Sequence, residues 1–301
     1  MTAVRHLLEV DDLSAAEVAA VLDLAADPAR PPLLAGQTVG LYFEKPSLRT
    51  RHSSETAVVQ LGGHPVTFRT EEVGTEAREP LTDIARVLSG YHAAIGARVF
   101  AHTSLERWAA ASDIPVINLL SDAGHPCQAI ADLLTMREAW GSLAGRTVAW
   151  IGDYNNVARS LCLGAARTGM AVRIASPAGY GPTDVDVERL LTAGLADAPH
   201  VTTHPADAAK GADAVHTDVW ASMGHEDQAE ARHRAFEGFT VDDGVMAAAL
   251  PGALFLHCLP AHRGEEVAAS VVDGAQSRVF PQAHNRLHAF RGVLRFLLEA
   301  R

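Results

Sequence analysis

The sequence predicts an α/β protein built from two doubly wound domains with mainly parallel sheets. Three observations carry that expectation. Short apolar runs of strand length alternate with helical stretches through both halves of the chain. The polar, chemically capable clusters follow the ends of those runs, which is where open α/β sheets collect their ligands. The 301 residues, 48% hydrophobic and 20% charged, suffice for two cores without disulfide or metal staples. Two ligand-collecting edges facing each other would place the active site in an interdomain cleft.

The elements read in order as follows. Ser14 and Glu17 form a capping box before an Ala/Val/Leu-rich helix that runs to near Ala26. After the prolines of 28–32, Thr38 to Phe43 reads as a buried strand, and a polar turn leads to a helix from about Ser47. Pro65–Phe68, Ala93–Ile95 and Val116–Leu119 are the next strands, separated by helical stretches 81–90 and 104–112. Residues 127–139 continue as helix until Gly141. A second series starts at Gly145, with strand Arg146–Ile151, helix 155–168 and strand Ala171–Ala175. Ala214–His216, Leu254–His257 and Val279–Phe280 read as further strands, with helices between. The last helix, 284–299, aligns Leu287, Phe290, Val293, Leu294 and Leu297 on one face.

Composition excludes several classes. A net charge of −11 argues against a general nucleic-acid partner, since phosphate backbones are bound by basic surfaces. Cys127, Cys162 and Cys258 show neither CxxC nor zinc spacing, so reduced thiols and no metal site are expected. No signal-peptide core and no run of 18 apolar residues is visible, which predicts a cytoplasmic protein without membrane contact. The turn after Gly152 lacks the GxGxxG glycines, which disfavours a nicotinamide cofactor, and no Walker loop is present.

Phe43-Glu-Lys-Pro-Ser47-Leu-Arg49-Thr50-Arg51 passes from strand to helix, where unpaired N–H groups, hydroxyls and arginines suit an anion. The same residues also fit an N-cap followed by a solvated charged turn. His125 and Gln128 lie on adjacent turns and can address one carbonyl group, although a lone histidine is more often structural. Asn155 and Asn156 follow a strand in a turn that asparagine commonly shapes. Asp218 is suited to an ammonium or to capping. Cys258 reads as a small buried hydrophobe, and His257 and His262 show no orienting acid that would make it a nucleophile.

In combination, FEKPSLRTR (43–51), HPCQ (125–128), GDYNN (152–156), DVWASMG (218–224), HCLP (257–260) and Asn285-Arg286 resemble the aspartate/ornithine carbamoyltransferase family. The likeness runs from about Ser14 to the C-terminus. The DxxxSMG and HCLP pair is similar to its ornithine branch. The resemblance implies transfer of the carbamoyl group of carbamoyl phosphate to L-ornithine, in arginine biosynthesis, with no cofactor. Another amine acceptor, such as putrescine or a modified ornithine, is the alternative, followed by a weakened metabolite-binding paralogue. It implies a carbamoyl-phosphate domain over 1–130 joined by helix 284–301, an ornithine domain over 131–283, and a homotrimer or a multiple of trimers. On matching positions, Ser47, Leu48 (by its backbone), Arg49 and Thr50 would hold the phosphate. Arg98, His125 and Gln128 would hold the carbamoyl group. Asn156, Asp218, Ser222 and Met223 would grip ornithine, and Cys258, Leu259 and Arg286 would line the place where amine meets carbonyl. Arg98, His125, Cys258 and Arg286 are the expected catalytic groups. Leu48 departs from a small hydroxyl residue usual in the family, and segment 70–79, with Glu71, Glu72 and Glu76, departs from a loop that supplies a polar contact across subunits.

Overall fold

A computed structural model of the chain describes residues 4–73, 78–221 and 229–299. It divides into two compact units, Met1–Leu134 with His284–Arg301, and Thr135–Ala283.

The first unit contains α1 (Ala15–Ala26), β1 (Thr38–Phe43), α2 (Leu48–Gln60), β2 (His64–Arg69), α3 (Thr70–Val73), α4 (Leu81–Ser89), β3 (Ala94–Arg98), α5 (His102–Ala111) and β4 (Val116–Leu120). It ends within α6 (Pro126–Trp140). Its sheet is wholly parallel, in the order β2-β1-β3-β4. Every residue of β3, and all but the first of β1, is buried, as expected of parallel strands covered on both faces. Edge strand β2 instead has only exposed and half-buried residues, and carries Pro65 where an edge tolerates it. Ile95, Ala97, Leu105, Trp108 and Val116 form the core beneath α4 and α5.

In the second unit follow β5 (Thr147–Ile151), α7 (Asn156–Arg167), β6 (Ala171–Ala175), α8 (Asp184–Thr192), β7 (His200–Thr202), α9 (Pro205–Ala209) and β8 (Ala214–Thr217). Then come α10 (Ala229–Ala235), α11 (Asp243–Ala248), β9 (Leu254–His257), α12 (Ala269–Val272) and the start of α13 (Val279–Glu299). The sheet is again parallel, ordered β7-β6-β5-β8-β9. Its core joins Ile151, Val215, Phe236, Phe255 and Val271.

Each sheet reverses its winding once. In the first, the chain moves from β1 out to β2 and returns across to β3. In the second it moves from β5 through β6 to β7 and returns to β8. The loops after β1 and β3, and those after β5 and β8, therefore part at the carboxyl ends of the strands. Such a divergence opens a crevice in any doubly wound sheet.

One expected strand is a helix. Val279 and Phe280 open α13, because Gln282 N–H bonds back to the Arg278 carbonyl at 2.8 Å. Pro281 falls in the first turn, where a missing N–H costs nothing. The extended pairing beside β9 is confined to a bridge between Phe255 and Ser277.

The C-terminal part of α13 packs on α1. A Cβ on Gly292 would meet Ala25 N, Ala25 Cβ and the Val21 carbonyl at 2.8 Å, so the two helices approach at backbone distance. Beside this crossing, buried Arg291 donates to the carbonyls of Ala25 (3.2 Å) and Asp27 (2.7 Å), satisfying the end of α1. Arg295 pairs with the Asp27 carboxylate at 2.8 Å. Gly292→Val is expected to lower stability by about 1–3 kcal/mol, the usual cost of overpacking, in a urea unfolding curve. Unchanged stability would show that α1 moves aside freely.

Candidate active site

Ser47 caps α2, its Oγ accepting the Thr50 N–H at 3.3 Å. The first-turn amides of α2 are thereby presented where β1 ends, in the crevice at the β1/β3 reversal. Leu48 is the first helical residue and is 70% exposed, so its side chain contributes no packing there. Arg49 stands half-buried in the same turn, with no hydrogen bond or ion pair among the described residues. Arg98 enters from the end of β3. There the pairing with β4 slips by one residue, Ala97 lying opposite Asn118 and Arg98 opposite Leu120. A slip of this kind re-aims a side chain, and Arg98 is 5% exposed.

A chain of hydrogen bonds orders the buried polar groups behind these residues. Asp132 Oδ1 accepts from Gln128 Nε2 at 2.7 Å, and Gln128 Oε1 accepts from Arg286 Nη1. Arg286 Nη2 in turn donates to Thr50 Oγ1 at 3.1 Å. Two consequences follow from the donor inventory. The Gln128 amide has one orientation, since its oxygen faces a guanidinium and its nitrogen a carboxylate. The Thr50 hydroxyl, already accepting, has its own O–H left to donate.

His125 lies one turn before Gln128 and is buried. Its pKa is held well below the ordinary 6.5, first by burial, then by the charges of Arg286, Arg98 and Lys45. The imidazole is neutral near pH 7 and remains an N–H donor. Lys45 lies 4.5 Å over the Phe100 ring, which keeps its ammonium beside the group. This corner thus gathers cations in a number that a bound anion would balance.

In the second unit the β5/β8 reversal carries the other cluster. Asp218 follows β8, and its Oδ2 accepts from Asn155 Nδ2 at 2.9 Å across the crevice. Asn155 also caps α7, accepting the N–H groups of Val157 (3.0 Å) and Ala158 (3.1 Å). Asn155, which is not among the site residues expected from the sequence, is therefore in direct contact with Asp218; Asn156 is the half-buried first residue of α7. Asp218 Oδ1 accepts from Cys258 Sγ at 3.0 Å. Ser222, Met223 and Glu76 lie outside the described residues.

Cys258 differs from the other thiols. Burial pushes Cys127 and Cys162 up to about 12, which leaves both inert, whereas Cys258 is half-buried and faces a carboxylate. Leu259 beside it adopts φ +61°, a left-handed conformation uncommon for leucine. It is held by its N–H donating to His257 Nδ1 at 2.9 Å. With Nδ1 accepting, the proton resides on Nε2, which faces Glu266 Oε1 at 3.2 Å. An orienting acid for His257 is thus present, contrary to the sequence expectation. It escaped notice because Glu266 returns to the strand end through a turn. It orients the Leu259 backbone; Cys258 looks toward Asp218 instead. In segment 70–79, Glu72 accepts the Arg69 N–H at 2.7 Å and so caps α3, while Thr70 meets Tyr42.

Residues 5–138 match the family described as aspartate/ornithine carbamoyltransferase, carbamoyl-P binding domain, and residues 144–297 match its Asp/Orn binding domain. The chain belongs to the aspartate/ornithine carbamoyltransferase family. Within this family it is 50% identical to the ornithine carbamoyltransferase of Acidothermus cellulolyticus, over 99% of this chain and 97% of that protein. Its fold is similar to the crystal structure of ornithine carbamoyltransferase from Thermus thermophilus, with a TM-score of 0.89 at 44% identity, covering 99% and 100% of the two chains. The ornithine carbamoyltransferase from Pyrococcus furiosus gives 0.93 at 40% identity, covering 99% and 98%.

The depressed pKa of His125 gives a signed expectation. Between its folded value and 6.5 the unfolded chain binds a proton that the native chain does not, so stability falls as pH drops through that window. His125→Gln should flatten this part of the stability profile, and NMR of wild-type protein should find the His125 ring neutral at pH 6. A ring protonated at pH 6 would mean that burial and the three cations together do not hold it neutral.

Proposed function

We infer that the protein transfers the carbamoyl group of carbamoyl phosphate to the side-chain amine of L-ornithine, giving L-citrulline and phosphate. The observation that carries this reading is the buried cationic corner around neutral His125, ordered by Arg286 and opening on the amide-rich start of α2. The names of the relatives supply the acceptor.

The first unit takes carbamoyl phosphate. Ser47, Arg49, Thr50 and the Leu48 N–H address the phosphate, where the positive end of α2 favours a dianion. Arg98, His125 and the Thr50 O–H address the carbamoyl oxygen, with Gln128 at its nitrogen. As the amine attacks the carbonyl carbon, negative charge grows on that oxygen. Fixed donors in a buried site stabilise it without reorganising, usually a large contribution in acyl transfer. The carbon–oxygen bond to phosphate then breaks, and Arg49 and Arg286 balance the charge that leaves with the phosphate.

The second unit takes ornithine. Asp218, Asn155 and Asn156 form its polar grip, together with Ser222 and Met223. The alkylamine of ornithine, like that of lysine, has a pKa of about 10.4, so only roughly one molecule in a few thousand is nucleophilic at pH 7. Cys258 and Asp218 address this deficit. The sulfur can receive a proton from the amine as its own passes to the Asp218 carboxylate 3.0 Å away. Leu259 holds the turn that aims the thiol. A trimer or multiple of trimers, a cytoplasmic setting and a biosynthetic direction complete the proposal, on the strength of the family resemblance.

The test is citrulline formation from carbamoyl phosphate and ornithine, beside putrescine, lysine, aspartate and N-acetylornithine as acceptors. Turnover selective for ornithine is expected. Preference for another acceptor would overturn the ornithine assignment while sparing the carbamoyl-phosphate half. In the same assay Cys258→Ala should lower kcat at least about 10-fold, as loss of a proton acceptor does, with little change in KM for carbamoyl phosphate. Unchanged kcat would remove Cys258 from the reaction.

A further inference from the structure

Outside the residues given roles in carbamoyl transfer, four side chains of the second unit converge beside the turn that follows β9. His262 Nδ1 lies 3.6 Å from Glu265 Oε2 and 3.9 Å from Glu266 Oε2. His233 Nε2, on α10, approaches the same Glu265 oxygen to 3.6 Å. One donor atom each from His262, Glu265 and Glu266 fall within 4.8 Å of one another. We propose that these residues form a binding site for a divalent transition cation of the zinc class, with His233 as the fourth donor.

The spacing supports an ion better than direct pairing. Hydrogen bonds between imidazole and carboxylate close to about 2.7–3.2 Å, and these pairs stand apart. A tetrahedral cation with N and O ligands at about 2.0–2.2 Å holds them roughly 3.3–3.6 Å from each other. The three imidazole–carboxylate separations, 3.6, 3.6 and 3.9 Å, match that spacing or need a few tenths of an ångström of closure, and His233 turns in to complete the set. Two carboxylates and two imidazoles offer N and O donors without sulfur, a set suited to zinc, cobalt or nickel, and a dication would balance the carboxylate charge.

Glu266 supplies an independent indication. Its side chain is completely buried. Oε1 accepts from the His262 backbone N–H at 2.6 Å and faces His257 Nε2 at 3.2 Å. Oε2 is buried and lacks a hydrogen-bond partner, and it is the oxygen turned toward His262. A buried carboxylate oxygen left without a donor is unfavourable, and a cation beside it removes the deficit.

The backbone that carries the donors is already fixed. Glu265 N–H bonds to the His262 carbonyl at 3.0 Å and Gly264 N–H to that of Val267 at 2.9 Å. The carbonyls of Glu265 and Glu266 accept from the Thr240 hydroxyl (2.6 Å) and the Val241 N–H (2.9 Å). Arg263 grips Asp273 with two bonds of 2.9 and 2.7 Å. The His233 and Trp220 rings pack in a T-shaped pair, with centroids 5.7 Å apart. The turn that carries His262, Glu265 and Glu266 is therefore ordered before an ion arrives.

Cobalt(II) is the probe. Asp218, His257 and Cys258 form another group of possible ligands, so the titration uses metal-stripped Cys258→Ala protein, and a thiolate charge-transfer band in wild type reports any binding at that other group. Visible d–d absorption of a four-coordinate N/O site, saturating at one equivalent, is expected. His262→Gln and Glu265→Gln, both at partly exposed side chains, should each weaken binding about 100-fold or more without shifting the metal-free melting temperature. Absence of saturable binding, or binding that both variants retain, would overturn the proposal.

Discussion

The reach of Arg286 from the last helix to Thr50 and Gln128 is the interaction on which the first half of the site depends. It links α2, α6 and α13, three elements far apart in sequence, through groups that are nearly all buried. A guanidinium in that position is tolerable because neutral oxygens receive it, and Asp132 beyond Gln128 supplies a carboxylate one step away. The arrangement sets the orientation of the Gln128 amide, leaves the Thr50 O–H to donate, and adds to the charges that keep His125 neutral. Packing of Gly292, Arg291 and Arg295 against α1 holds the helix that carries it.

The two units place opposite electrostatics at equivalent points of similar sheets. At the β1/β3 reversal stand Arg98, Arg49 and Lys45; at the β5/β8 reversal stands Asp218, with both oxygens engaged by Asn155 and Cys258. A phosphate dianion suits the first environment and an ammonium the second. The division follows from topology, because each reversal sends two loops apart at the carboxyl edge and leaves room for a ligand between them.

Much of this was legible in the residue pattern, for physical reasons that also explain the failures. Thr38–Phe43 and Leu254–His257 were readable because parallel strands buried on both faces become nearly unbroken apolar runs. His200–Thr202 escaped because a short edge strand has no such run. Val279–Phe280 misled because two apolar residues before a proline fit a strand end as well as a first helical turn. At the site, side chains that follow strand ends were visible as clusters. Partners acting across the fold were not: Glu266 behind His257, and Asn155 against Asp218. Asp132 carried a usable signal, since Gln128 and Asp132 sit four apart on one helix, the spacing of a side-chain pair.

The most direct measurement of the central claim is calorimetric binding of carbamoyl phosphate, without ornithine, to wild-type protein and to Arg286→Gln. Loss of the charged donor from a buried network should weaken binding about 10- to 100-fold, while circular dichroism shows the variant folded. Equal affinity in a folded variant would contradict the view that Arg286 organises the anion site.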